Sequence, residues 1–407
     1  MPLTTPLPRQ GPRPLPLHLS IALTVLLSST GGLPFLKNDS LPWKPNLRGR
    51  ASALAAWIAG ADPEALRRAV DREMRHRIDL LFTGIDRYRH HPYRRDLPDP
   101  PVIWTEGASR LLDFGGPGRP VLFVPSLVNR YYVLDLSARR SLVRWLAGHG
   151  VRPLLIDWGT PGPLERRYTL TDYIAGRLSR ALDAALAAAG EPPVVAGYCM
   201  GGLLAASLAL LRPREVSALA LLATPWDFHA EGAESAPQIA RFLALFGPLL
   251  DAWGELPVDV LQALFTGIDP LLALRKFAQL GRLDLTTPQA AAFIALEDWL
   301  NDGVALPAAV ARDCLAGWYG RNDTGRCNWL VAGLPVDPSR LRLPTLAVIP
   351  AQDRIVPPAS ARALATAIPG TEIWSPTLGH IGMVVSGGAE RTVWQPLAGW
   401  LAGVGRR

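Results

Sequence analysis

Residues 193–211 read PVVAGYCMGGLLAASLALL, and the order of residue types in that stretch constrains the backbone. The apolar run 193–196 has the length of a buried strand, and 203–211 the length and composition of a helix. Between them Gly197 and Gly201 stand two residues before and two after Cys199, with Gly202 beyond. Small residues at those places let the chain turn sharply from strand to helix and lift the central side chain above the sheet. A thiol suits that position: its free pKa is about 8.5, and a helix N-terminus with a neighbouring imidazole lowers it toward neutrality.

Outward from this stretch, short apolar runs alternate with helical segments after Pro100. Strands are expected at 121–124, 153–156, 194–197, 216–222, 346–349 and 372–374, and helices near 138–148, 171–189, 201–211 and 358–368. That rhythm predicts an α/β protein with a mostly parallel sheet covered by helices on both faces. From Trp226 to about Leu341 it gives way to amphipathic helical stretches rich in Leu, Phe and Trp, which read as a helical cap inserted before a later strand. The expected organisation is a Pro-punctuated N-terminal arm with an apolar segment over 1–50 and a helical lead-in over 51–110. The first part of the core then covers 111–225, the cap 226–341 and the second part of the core 342–407. The apolar run 15–27 has flanks like those of a signal peptide, but His18, Ser20 and Thr24 interrupt it. It is also shorter than the roughly 20 residues that span a bilayer, so it reads as an interfacial or packing helix.

Chain order adds two more residues. In the α/β-hydrolase fold a nucleophile elbow is followed by an acid after a late strand and a histidine after a still later one. Asp353 follows the expected strand 346–349, and His380 follows 372–374. The imidazole would serve as general base, while the carboxylate would fix its tautomer and steady the imidazolium. Asp353 also suits a turn or helix N-cap ahead of Pro357. His18, His76, His90, His91, His149 and His229 have no comparable placement. For an oxyanion, the backbone N–H of Met200 is one expected donor. A second should come from the loop after 121–124, with Val128 as the choice and Leu127 next to it.

Composition bounds the rest. The 407 residues, 49% of them hydrophobic, suffice for a large core with an insertion. The net charge of +7 comes almost wholly from Arg and reads as compositional bias, with an anionic ligand such as coenzyme A as the alternative. No basic block interleaved with aromatics points to nucleic acid. Three cysteines, Cys199, Cys314 and Cys327, are too few for a disulfide framework and fit a reducing, cytoplasmic setting. Without a dinucleotide fingerprint, a P-loop or a His/Cys ligand cluster, no cofactor and no metal are expected.

These residues resemble the polyhydroxyalkanoate synthase family. Gly197-Tyr198-Cys199-Met200-Gly201-Gly202 is similar to its cysteine-containing lipase box, and the segment from Val124 to Leu136 to its oxyanion loop. Thr224 to Phe228 resembles its exit into the cap, and Asp353 to Pro357 with Gly379-His380-Ile381 its acid and histidine motifs. Arg354 stands where the family commonly has His, and Glu297 to Asp302 is a loose version of its cap segment. The resemblance implies that Cys199 takes a 3-hydroxyacyl group from coenzyme A with the help of His380, while Asp353 helps activate the 3-hydroxyl that extends the chain. It further implies a homodimer, a polyester product and association with polyester granules. A cysteine hydrolase, either a polyester depolymerase or an acyl thioesterase, shares fold and triad and uses water as acceptor. A non-enzymatic granule coat is the reading from a different class.

Overall fold

Eight strands make one sheet in the computed structural model, which describes residues 8–37, 41–43, 45–230, 241 and 247–404. They are β1 (Val102–Glu106), β2 (Ser109–Asp113), β3 (Arg119–Val124), β4 (Val151–Asp157), β5 (Val194–Tyr198), β6 (Ala218–Leu222), β7 (Thr345–Val348) and β8 (Glu372–Trp374). Their order across the sheet is β1-β2-β4-β3-β5-β6-β7-β8. Pairing is parallel from β4 onward, while β2 runs antiparallel to both β1 and β4. This is the expected α/β-hydrolase architecture. β5, β6 and β7 are buried along their whole length, as strands covered on both faces are, which is why they read as unbroken apolar runs.

The expected strands from 121 onward all form, within two residues of the expected bounds. The hairpin β1–β2 was not expected. It turns on Gly107, at φ +55°, and β1 lies at the sheet edge largely exposed, so neither continuous apolarity nor clean alternation marks it. The helices that matter for the site are α1 (Ser179–Ala189), α2 (Met200–Leu211), α3 (Val258–Thr266) and α4 (Pro358–Ala367). The helix expected from 138 begins only at Leu142, because Asp135–Ser137 and Arg140–Ser141 first pair as a short ribbon. Ser141 then caps the helix, its Oγ accepting from Arg144 N–H at 3.1 Å.

In the stretch read as a cap, the described residues contain α3 and the helices Leu272–Leu280, Pro288–Asn301 and Ala308–Arg312, the last continuing as the π-helical Asp313–Arg321. Residues 231–240 and 242–246 lie outside the described residues. By contacts the chain forms two units. One holds Met1–Tyr93 with Asp269–Asn301, and the other Arg94–Ile268 with Asp302–Arg407. In the first, helix Pro63–His90 meets Leu272–Leu280 at Gly84, where a Cβ would come within 1.9 Å of Phe277 O. The apolar run 15–27 is a helix packed there through Ala22, and no helix among the described residues is long and apolar enough to cross a membrane.

In the second unit the loop after β3 is anchored by a buried charge. Asp135, fully buried, accepts from Arg95 at 2.7 Å, from Arg144 at 2.7 and 3.0 Å, and from Ser141 Oγ at 2.7 Å. Removing the carboxylate strands two guanidinium groups that are about three-quarters buried. Asp135→Ala should therefore cost about 3 kcal/mol of folding stability, read as a lowered urea midpoint at unchanged slope.

Candidate active site

Parallel strands end together, and the three residues singled out by the sequence lie at that shared carboxyl edge. β5 runs into Tyr198 and Cys199, β7 ends five residues before Asp353, and β8 ends six before His380. Cys199 has φ +55° and ψ −128°, a conformation that a residue with a Cβ rarely adopts. Its N–H donates to Leu222 O at 2.8 Å, and Gly202 N–H closes the turn on Cys199 O at 2.9 Å. Neighbouring glycines are there for lack of space. A Cβ on Gly197 would lie 2.3 Å from Gly202 Cα, one on Gly201 2.0 Å from Val124 O, and one on Gly202 1.8 Å from Thr224 Oγ1. The thiol is half-buried, at the N-terminus of α2.

The acid and histidine loops are laced together by backbone bonds. Ala351 N–H donates to Pro376 O and Gln352 N–H to Leu378 O, both at 2.9 Å. Asp353 and His380 are each buried, and His380 Nδ1 lies 2.6 Å from Asp353 Oδ2. The other carboxylate oxygen accepts the N–H groups of Ile355 and Val356 at 2.8 Å each. With both its oxygens held, the carboxylate orients the ring and assigns the Nδ1 proton, leaving Nε2 for Cys199. Tyr198 supports the histidine from below: its hydroxyl donates to His380 O at 3.2 Å and its ring lies 5.2 Å from the imidazole. Burial pushes the Tyr198 phenol well above its ordinary pKa, so it stays a neutral donor.

The electrostatics of the pair are uneven. Burial of His380 favours the neutral ring, but the electrostatic influence of Cys199 and the hydrogen bond to Asp353 outweigh it. The imidazole is thereby pushed up to about 10.

Met200 is the first residue of α2, directly after Cys199, so its N–H has no intrahelical acceptor. Val128, the expected second donor, sends its N–H to Ser126 Oγ at 3.3 Å, a long contact. Leu127 beside it is buried in the core.

Sequence reasoning missed an aromatic wall. Phe228 lies 4.7 Å from Tyr319 and 5.9 Å from Trp318, which in turn lies 5.2 Å from Trp329. Burial first, and then the charge of Cys199, raise the Tyr319 pKa, and Phe228, Tyr319 and Cys199 all pack against the same apolar core. Phe228 is set by Asn322, whose Oδ1 accepts its N–H at 3.0 Å and whose Nδ2 donates to Asp227 at 2.8 Å. The only signal in the sequence was an abundance of aromatics. A separate apolar cavity of about 270 Å³ sits at the other end of α2, between Leu211 and Leu343, and none of Cys199, Asp353 and His380 lines it.

Comparison with known proteins identifies the fold family and relatives of the chain. The α/β hydrolase fold family matches residues 119–386. A poly(3-hydroxyalkanoate) polymerase subunit PhaC from Haloferax mediterranei is 29% identical over 74% of this chain and 63% of its own length. Subunits of the same name from Synechocystis sp. and Allochromatium vinosum are each 31% identical, over 70% and 69% of this chain and 77% and 80% of their own. The match thus spans just under two thirds of the Haloferax relative and more of the other two. Among solved structures, a monoacylglycerol lipase from Paleococcus ferrophilus aligns with 72% of this chain and 97% of its own at a TM-score of 0.48 and 18% identity. With 31% identity carried across most of the length of two such relatives, the chain belongs to the poly(3-hydroxyalkanoate) polymerase (PhaC) family within the α/β hydrolases.

Proposed function

We propose that the protein polymerises 3-hydroxyacyl groups delivered as coenzyme A thioesters, with Cys199 as the residue that carries the growing acyl chain. The observation that supports this most is the buried, carboxylate-held His380 facing a thiol where most elbows of this fold hold a hydroxyl. The Cys199 thiolate attacks the thioester carbonyl, and the oxyanion forms against the N–H of Met200 and that of Val128. An oxyanion is a far stronger acceptor than a hydroxyl 3.3 Å away, so Val128 exchanges Ser126 for it. Collapse expels coenzyme A as a thiol, protonated by the His380 imidazolium, and leaves an acyl-Cys199 thioester. The 3-hydroxyl of the acceptor then attacks that thioester while His380 takes its proton, with Asp353 steadying the charge. Transfer to water instead of a hydroxyl would give a hydrolase.

Granule association is part of the same proposal. Val25, Leu27, Phe35, Leu41, Leu54 and Trp57 are all exposed, although they lie within the first 60 residues beside packed helices. Exposed apolar residues this frequent within one stretch of sequence suit an apolar polyester surface. Phe35→Ser with Trp57→Ser should lower the fraction of protein that sediments with polyester granules, without lowering turnover of soluble substrate.

The central test incubates the purified protein with 3-hydroxybutyryl-coenzyme A, with Cys199→Ala as the blank. Insoluble polymer and thiol release that both vanish in the variant are the expected result. Free hydroxy acid with the same dependence would make it a hydrolase, and thiol release indifferent to the substitution would remove Cys199 from the mechanism. The pair also has a pH signature. Because the folded-state pKa of His380 lies above its ordinary 6.5, its contribution to stability is complete below that pH and is lost as pH rises to about 10. In Cys199→Ala the thiolate is gone, so the imidazole should release its proton at lower pH by NMR, and stability should fall less across that window.

A further inference from the structure

The loop after β3 must present an N–H to the oxyanion, and its position is set by contacts outside the loop itself. At its start, Trp158 Nε1 donates to Pro125 O at 3.0 Å, and at its end Asp135 is buried among Arg95, Arg144 and Ser141. The stretch between, which carries Leu127 and Val128, takes several of its bonds from one short segment, residues 302–304. Val304 N–H donates to Val128 O at 3.1 Å, and Asn129 pairs with Gly303 in an antiparallel bridge. Asp302 grips two further loop residues with its two oxygens: Oδ1 accepts from Arg130 Nε at 3.3 Å, and Oδ2 from the Tyr132 hydroxyl at 3.0 Å. Arg130 also reaches Thr160 Oγ1 at 2.8 Å. On the far side, Gly303 is pressed against α3, where a Cβ would lie 2.7 Å from Val258 Cγ1. The segment is thus wedged between α3 and the loop.

We infer that Asp302 is a positioning residue for acyl transfer: it sets where the loop N–H groups stand relative to Cys199, without touching the substrate. Its side chain is almost half exposed, so the ion pair adds little to global stability. What it supplies is geometry. Two loop residues, one on each side of Tyr131, are tied to one carboxylate, so the turn that follows Val128 cannot swing away while both bonds hold. Oxyanion donors work only when placed at the position the developing charge will occupy, and displacements well under 1 Å weaken them. The tether is also specific to this step. Activation of the thiol by His380 needs no loop donor, whereas formation of a tetrahedral oxyanion does.

This inference rests on Cys199 being an acyl-transfer nucleophile, and two reactions of that thiol separate the two ideas. Alkylation by iodoacetamide needs the thiolate but forms no oxyanion; acylation by 3-hydroxybutyryl-coenzyme A or by p-nitrophenyl butyrate needs both. Asp302→Ala should lower kcat for either acyl donor by about 10-fold to 100-fold with KM within about twofold, while the alkylation rate of Cys199 stays at the wild-type value. Asp302→Asn, which still offers an acceptor to Tyr132, should fall between the two. Tyr132→Phe, which deletes a single oxygen, should lower kcat alone and add little in the Asp302→Ala background. Full kcat in Asp302→Ala, or alkylation falling in step with acylation, would overturn the assignment. A wild type that releases free hydroxy acid would refute the proposed acceptor while leaving the Asp302 ratio a valid test. One acylated by neither donor would overturn both ideas.

Discussion

Everything at the site depends on one backbone constraint, the left-handed turn at Cys199. A non-glycine residue at φ +55° with ψ far from the helical region is strained by about 1–3 kcal/mol, and the surroundings must hold it there. They do so by leaving no room for relaxation. Gly197 and Gly202 touch backbone to backbone, Gly201 rests on the end of β3, and Cys199 N–H is fixed to the end of β6. Because the turn is rigid, the thiol, the first N–H of α2 and the β3 loop are brought to one place without side-chain adjustment.

The histidine and the acid are fixed by a second device, independent of the first. Their loops leave adjacent strands, β7 and β8, and are joined to each other by backbone bonds before either side chain is reached. Tyr198 links the two devices, since it belongs to the elbow yet donates to the backbone of His380. Distances in the site thus follow from strand register and backbone bonds more than from side-chain packing.

That division explains what could be read in the sequence. The elbow, Asp353 and His380 each sit in a local pattern of strand followed by turn, and local patterns are what periodicity and glycine placement encode. The hairpin β1–β2 lacked such a pattern, being short, edge-placed and exposed. Asp302 and the aromatic wall were illegible for another reason: their roles exist only through partners far along the chain, such as Arg130 with Asp302 and Phe228 with Asn322. The expectation for Val128 shows the limit from the other side. Motif placement pointed to the loop after β3, but where the Val128 N–H points within it depends on Ser126 Oγ, two residues away.

The choice of thiol over hydroxyl bears on the fate of the acyl group. An acyl-Cys199 is a thioester, nearly equal in energy to the coenzyme A thioester that would supply it, so the first transfer is close to balanced and reversible. Passing the acyl group to a hydroxyl yields an oxoester and is downhill, but so is passing it to water. Thermodynamics therefore does not select polymer over hydroxy acid; access does. Phe228, Trp318 and Tyr319 belong to the same apolar core against which Cys199 packs, and His380 and Asp353 are almost wholly withdrawn from solvent. An apolar surround lowers the local concentration of water far more than that of a polyester chain end. An apolar surround of the half-buried thiol would then be the feature that turns a hydrolase scaffold toward chain growth.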